Sequence, residues 1–127
     1  MSEPVPVMKN DAEQMPIPTE WRGVLAAIVS SLKNGDFKLT QRIAGVLPIS
    51  EEIAKAMANN IERYGAQLTS LPEESWQTSA CQWMDSFWDV LVDLFTIEEG
   101  ASDLVLAARV YESNNGYSFE VQSVHVP

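Results

Sequence analysis

Trp21, Val24, Leu25, Ile28 and Leu32 recur at i, i+3, i+4 and i+7 spacing between Thr19 and Asn34-Gly35. That spacing makes one apolar helix face, and Thr19 is the expected N-cap with Glu20 in the first turn. A second helix is predicted from Ser50 to Gly65. Ser50 supplies a capping oxygen, Glu51 and Glu52 complement the helix dipole, and Gly65 suits a left-handed cap. Its inward stripe is Ile53, Met57, Ile61 and Tyr64. Between the two, Phe37, Leu39, Ile43, Val46 and Leu47 suggest a short irregular helix that stops before Pro48. Ser70-x-x-Glu73 with Pro72 inside it resembles a capping box and opens a shorter helical piece around Trp76. Thr78 to Met84 fits either period, because Trp76, Ala80, Trp83 and Met84 share a helical face while Ser79, Cys81 and Trp83 alternate.

After Phe87 the period becomes two. Trp88, Val90, Val92 and Leu94 alternate with Asp89, Leu91, Asp93 and Phe95, and Leu104, Leu106, Ala108 and Val110 alternate with Val105, Ala107, Arg109 and Tyr111. Alternation of this kind reads as strand. Strands are therefore expected over 87–95, 103–112 and 117–126, the last two joined at Asn115-Gly116, a strong tight-hairpin signal. That turn pairs Val110 with Val121, Glu112 with Phe119 and Leu106 with His125. One sheet face then carries Trp88, Val90, Val92, Leu94, Leu104, Leu106, Val110, Phe119 and Val121. The other mixes Asp89, Asp93, Arg109, Glu120 and Gln122 with Leu91, Phe95, Val105, Tyr111 and Val124. It is apolar enough to be covered in part by another segment or by a second copy, as in a homodimer. The fold class is α+β, with N-terminal helices packed on one face of a C-terminal antiparallel β-meander.

Length and composition fit this picture. A chain of 127 residues with 46% apolar and 20% charged residues is long enough for one domain with a substantial core. Residues 1–18 hold Pro4, Pro6, Pro16 and Pro18 and no repeating apolar face, so a mobile arm is expected there, followed by a single α+β domain over 19–127.

Charge separates the halves. From Ala66 onward there are ten carboxylates and one cation, Arg109, whereas residues 19–65 hold five acids and six bases. The net charge is −10 and the pI is near 4.3. Nucleic acid is an unsuitable partner because its affinity rests on Lys and Arg neutralising phosphates, and an anionic membrane surface is disfavoured for the same reason. No apolar run approaches the roughly 20 residues of a membrane span, and Met1-Ser2-Glu3-Pro4 lacks a signal-peptide pattern. A single cysteine, Cys81, rules out an internal disulfide. A cytoplasmic protein is the expectation.

Candidate chemistry is sparse. Asp85, Asp89 and Asp93 invite a metal reading, but on a strand they spread over about 26 Å, so no metal site is expected. Glu98, Glu99 and Asp103 crowd one hairpin loop. They read first as a solvated turn, then as a docking patch for cations, and last as an acid pair, since a loop tip seldom desolvates a carboxyl. Asp89, Asp93 and Tyr111 on the second sheet face join them as partner-binding candidates. Trp76, Trp83 and Trp88 are expected as core, or else as the lining of a ligand pocket that His125 could join. His125, two residues from the end and on the core-facing side or its rim, reads as a structural histidine. Cys81 has no nearby cation to activate it. With no glycine-rich phosphate loop, HExxH, CxxC or Walker lysine, neither a cofactor nor a catalytic residue is expected.

The stretch from Trp88-Asp89-Val90-Leu91-Val92-Asp93-Leu94-Phe95-Thr96-Ile97-Glu98-Glu99-Gly100 to Ala101-Ser102-Asp103-Leu104, closing at His125-Val126, resembles a set of small bacterial proteins known only as a domain of unknown function. Tyr64-Gly65 and Leu71-Pro72-Glu73 extend the likeness over most of residues 19–127. The resemblance implies a bacterial origin and one α+β domain, and it brings no catalytic residues. A weaker likeness, in the helix Trp21 to Leu32 followed by Asn-Gly-Asp-Phe, is to nuclear-transport-factor-like domains, where helices cover a curved antiparallel sheet.

Two functions follow from the residues. One is a non-catalytic interaction module of the immunity or antitoxin type, docking a basic partner through its acidic sheet and loop, where charge complementarity speeds association. The alternative is a small-molecule-binding domain, weakly enzymatic at most, with a pocket between the helices and the Trp-rich sheet face.

Overall fold

The computed structural model describes residues 3–127; Met1 and Ser2, the start of the expected arm, lie outside the described residues. In chain order the elements are β1 (Met15–Pro16), α1 (Thr19–Lys33), α2 (Glu51–Tyr64), a 3-10 turn (Glu73–Gln77), β2 (Ala80–Trp83), β3 (Trp88–Thr96), β4 (Gly100–Ser113) and β5 (Gly116–His125). The strands form one antiparallel sheet in the order β1-β2-β3-β4-β5. Strand alternation buries Val90, Val92, Leu94, Leu106, Val110, Phe119 and Val121 on one face, where Trp21, Leu25, Ile28 and Leu32 of α1 and Met57 of α2 complete the core. The architecture is α+β as the residue pattern predicts, with two strands more than the three-stranded meander.

Capping chemistry explains α2 better than α1. Ser50 Oγ accepts from the Ile53 N–H at 3.1 Å, and Gly65 closes the helix at φ +83°, as expected of a Ser start and a Gly stop. The first residue before α1 is Pro18, with no side-chain cap. Thr19, expected as the cap, ties down the arm instead. Its Oγ1 accepts from the Val5 N–H at 2.6 Å and its own N–H donates to the Val5 carbonyl at 3.0 Å. Ser70 likewise does not cap the turn at Glu73, which follows Pro72 without a side-chain cap.

The short helix expected over Phe37–Leu47 is absent, and the segment is an irregular cover. Asp36 diverts it: its carboxylate accepts from the N–H groups of Thr40 and Gln41 at 3.0 and 3.3 Å, an alternative to helical pairing. Leu39 takes φ +52° and Gly45 φ +84°, which a right-handed helix excludes. The chain then runs beside β5, where Leu47 N–H donates to the Phe119 carbonyl and Phe119 N–H to the Gly45 carbonyl, both at 2.8 Å. A Cβ at position 45 would lie 3.1 Å from the Tyr117 carbonyl oxygen, so glycine fits this close approach. Together with Asn60 Nδ2, which donates to the Val124 carbonyl at 2.9 Å, this blunts an exposed sheet edge.

The ambiguous stretch before β3 resolves as strand β2 over Ala80–Trp83. Beyond β2, the outer edge of β3 finds other partners. Ser75 Oγ donates to the Asp93 carbonyl at 2.7 Å, Ser79 Oγ accepts from the Asp93 N–H at 2.9 Å, and Thr69 N–H reaches the Phe95 carbonyl at 2.9 Å. Buried backbone groups are thus satisfied without a longer neighbour strand.

The β4–β5 register differs from the expected one. Val110 pairs with Phe119 and Glu112 with Tyr117, because Ser113 pairs with Gly116 and the turn is Asn114-Asn115. A bulge at Ala107/Ala108 then sets Leu106 against Val124 and Val105 against His125. One extra residue reverses the alternation, so Val124 enters the core and His125 leaves that face.

The expectation of a mobile arm also meets definite contacts. Parts of residues 3–18 touch the body: Met15–Pro16 pairs with β2, Ile17 is fully buried, and Trp88 Nε1 donates to the Met8 carbonyl at 3.0 Å. Isoleucine burial, an indole donor and this one short pairing hold a segment whose prolines limit further strand pairing.

Candidate functional site

Sheet geometry gathers the loop carboxylates at the tip between β3 and β4. Gly100 at φ +74° turns the chain after Ile97, Glu98 and Glu99. Glu98 Oε1 accepts from the Gln67 N–H at 2.9 Å, and Glu99 Oε1 lies 3.4 Å from Thr96 Oγ1. Asp103 sits one strand turn away, its N–H donating to the Tyr64 hydroxyl at 3.1 Å. That donor favours the Tyr64 phenolate, but the Glu99 carboxylate and burial outweigh it and raise the phenol pKa. These carboxylates are organised as acceptors on a surface turn, not as a desolvated acid pair.

Ile97 stands out within this turn, at 66% exposure the most open of the large exposed apolar side chains. Its own N–H is tied to the Gln67 carbonyl at 2.9 Å, which fixes the side chain outward. Beside it runs a groove of about 400 Å3 lined by Leu32, Phe37, Ile61 and Leu68, with Lys33 at the margin. An apolar side chain next to an apolar groove and two carboxylates has the make-up of an interface centre with a polar rim.

The second group of partner candidates lies on the sheet face away from the helices. Asp89 pairs with Arg109 at 3.6 Å, Arg109 lies over the Phe87 ring at 4.4 Å, and the Tyr111 hydroxyl donates to Glu120 Oε1 at 3.2 Å. Asp93 accepts from the Thr78 hydroxyl. Asp85 takes φ +79° in the β2–β3 turn, a conformation that Asp tolerates. Among the described residues no group of three His, Cys, Asp or Glu side chains could hold a metal ion.

The tryptophans and His125 are not brought to one place. Trp88 is buried beneath Trp21, Trp83 and Tyr117 at centroid distances of 5.1, 4.5 and 5.9 Å, and Trp76 lies under Arg22. Trp21 fills the space between helix and sheet where an open pocket would need to be. His125 pairs with Val105, five positions from the Val110 that faces Trp88, or about 16 Å along the strand. It borders a depression of about 380 Å3 with Asn60, Arg63 and Tyr64. Its Nδ1 is 2.7 Å from Ser123 Oγ, yet among the described residues no carboxylate hydrogen-bonds the other ring nitrogen, so the third member of a nucleophile system is missing. Cys81 is buried against the Pro16 carbonyl, and burial pushes its thiol up to about 11, which leaves it unreactive.

Sequence reasoning missed Ile97, and it placed Trp21 on the buried helix stripe without showing how far that ring reaches. Ile97 falls in a turn, outside both hydrophobic periods, and that misplacement of an apolar residue was its only signal. Trp21 belonged to a helix stripe that read as ordinary core, and its reach across to Trp88, Tyr117 and Phe119 depends on tertiary packing.

No helix among the described residues is long and apolar enough to cross a membrane. No curated protein and no solved structure matches the chain. The family described as Domain of unknown function (DUF7668) does match, over residues 29–127, which take in α2, the hairpin tip and strands β2 to β5. The chain belongs to that family.

Proposed function

We propose that this chain is a non-catalytic protein-binding module, comparable in surface chemistry to an immunity or antitoxin protein, and that it docks a cationic partner at the β3–β4 tip. The observation that carries this reading is Ile97, exposed between Glu98 and its groove and held outward by the Gln67 pairing. An apolar anchor contributes affinity by burial. The surrounding carboxylates contribute association rate and partner choice, because the charge of the half beyond Ala66 attracts cations before contact. The partner surface is therefore an aliphatic or aromatic side chain flanked by Lys or Arg. A small-molecule pocket at the Trp-rich face has less support, since Trp21 occupies that space.

The test is capture of partners from the native host by the full chain, by Ile97→Asp, and by the combined Glu98→Gln, Glu99→Gln, Asp103→Asn variant, at low and high salt. The expected partner is basic, is lost with Ile97→Asp, and binds the triple variant more slowly with a flatter salt dependence. A partner retained equally by both variants places recognition elsewhere on the molecule.

A further inference from the structure

The end of β5 meets the last turn of α2 at a depression of about 380 Å3 lined by Asn60, Arg63, Tyr64, Leu104, His125 and Val126. Residues 60, 63 and 64 share one helix face, because side chains three and four apart are neighbours. Asn60 ties that face to the strand. Its Nδ2 donates to the Val124 carbonyl at 2.9 Å, so Arg63, one turn further on, borders the same depression as His125 and Val126. The bulge at Ala107/Ala108 supplies the facing wall, since it takes His125 out of the core-facing row and leaves the ring at the rim.

Donors collect here without acceptors. Acids outnumber bases by 18 to 8 in the chain, yet among the described residues Arg63 forms no ion pair. A cation in the last helical turn complements the helix dipole, but that role needs neither a depression nor a second donor beside it. His125 is the second donor. Its Nδ1 lies 2.7 Å from Ser123 Oγ, and a hydroxyl that donates there leaves the ring proton on Nε2. The buried Leu104 and the exposed Val126 add apolar wall.

The acidic surroundings select the charge of a ligand. Tyr64 takes the Asp103 N–H at 3.1 Å and has the Glu99 carboxylate close to its hydroxyl. Coulomb repulsion scales with charge, so a dianion such as phosphate meets about twice the repulsion of a monoanion. A planar guanidinium also matches a carboxylate with two parallel hydrogen bonds.

We infer that the depression between α2 and β5 binds a monocarboxylate carried on an apolar body, with Arg63 and His125 Nε2 on the carboxylate and Leu104 and Val126 against the body. This site is separate from Ile97 and stands whether or not the β3–β4 tip binds a partner.

His125 is the single histidine of the chain, so its ring signals report on the site directly. Hexanoate is titrated into the intact protein in mildly alkaline buffer, and the ring protons and the backbone amides of Tyr64 and Val126 are followed by NMR. Saturable shifts at the ring and at both amides are expected, with hexanamide and inorganic phosphate about tenfold weaker, as the loss of a charge-assisted hydrogen bond implies. Arg63→Gln, at an exposed position, should weaken hexanoate about tenfold, and His125→Gln, read at the two amides, about fivefold. Ring nitrogen spectra should show the neutral imidazole protonated on Nε2. An N-acetylated tripeptide ending in leucine, with a free or an amidated terminus, separates two sources of the carboxylate: tighter binding of the free terminus than of hexanoate assigns the site to a protein's C-terminus, and weaker binding assigns it to a free acid. No saturable shift with any carboxylate, equal binding of hexanamide, tighter binding of phosphate, unchanged affinity in both folded variants, or a neutral ring protonated on Nδ1 each overturns the proposal.

Discussion

The two ends of the sheet offer the same ingredients and use them differently. Near Trp88, aromatic rings stand beside Glu112, and Met8 and Lys9 lie across them. Near Thr96, Ile97 stands beside Glu98 and Glu99, and its side chain remains 66% exposed. The two ends are about 26 Å apart along β3. Apolar surface next to carboxylates therefore does not by itself distinguish stability from recognition in this molecule. Coverage distinguishes them: what the chain covers contributes to folding, and what it leaves open is free to meet a partner.

The sharpest way to break this contrast is to truncate covered side chains and, against them, the open Ile97. Trp21→Ala should cost about 3–5 kcal/mol and Leu106→Ala or Ile28→Ala about 2–5 kcal/mol, as other buried large-to-small changes do, because all three side chains are fully buried. Against a total stability on the order of 5–15 kcal/mol, these are large fractions. Ile97→Ala should stay within about 0.5 kcal/mol of the parent, like other exposed substitutions. Urea unfolding monitored by tryptophan fluorescence measures all four. Comparable losses at Trp21 and Ile97 would abolish the distinction between the ends.

A smaller effect tests the cover itself. Thr19→Val removes the oxygen that accepts from the Val5 N–H and should cost about 0.5–1.5 kcal/mol, the net worth of one intramolecular hydrogen bond. It should also speed proteolytic cleavage at Asp11–Glu13, since the loop loses its closure. Unchanged cleavage would mean that the arm is held by Ile17 and the Met15–Pro16 pairing alone.

What the residues disclosed and what they concealed follows the same division. The helix stripes, the Ser50 and Gly65 caps and the alternation of β3 to β5 were legible because each is a local rule that tertiary packing reinforced. The registry was not, since neither the bulge at Ala107/Ala108 nor the choice of Asn114-Asn115 over Asn115-Gly116 is marked by the alternation of the residues. Phe37 to Leu47 read as a helix because its apolar residues are genuine, whereas the Asp36 turn and the positive φ of Leu39 leave only a weak mark. The loop acids were found by composition. Their centre, Ile97, was not, because no period contains it.

Charge at the open end should matter little to folding and more to association. The combined Glu98→Gln, Glu99→Gln, Asp103→Asn variant keeps an oxygen for the Gln67 N–H, so its stability should fall within about 1 kcal/mol of the parent, the usual range for exposed charges. Its association with a cationic partner should slow at low salt and approach the parent rate at high salt, where a Debye length of about 3 Å at 1 M removes steering. Stopped-flow association at two ionic strengths measures this, and parallel salt slopes would take the tip carboxylates out of recognition.

The smallest effect concerns the far wall of the open groove. Phe37 lines it, and the preceding Asp36 anchors the loop by accepting from the Thr40 N–H first and then from Gln41 N–H and the Thr40 hydroxyl. These donors favour the carboxylate over the acid, so the Asp36 pKa lies below its ordinary value of 3.8. Folded protein then binds this proton less readily than unfolded chain. By linkage its contribution to stability is fully present above the unfolded pKa and fades as pH falls through the lower folded pKa. The loop should accordingly be at full strength at neutral pH and loosen only in acid, below about pH 4. Carboxyl chemical shifts followed by NMR should place the Asp36 titration below those of exposed aspartates, and Asp36→Asn should make the amide shifts of Thr40 and Gln41 independent of pH in that range. An Asp36 midpoint at or above the ordinary value would mean that the loop is not held by this carboxylate and that Phe37 is free to close the groove beside Ile97.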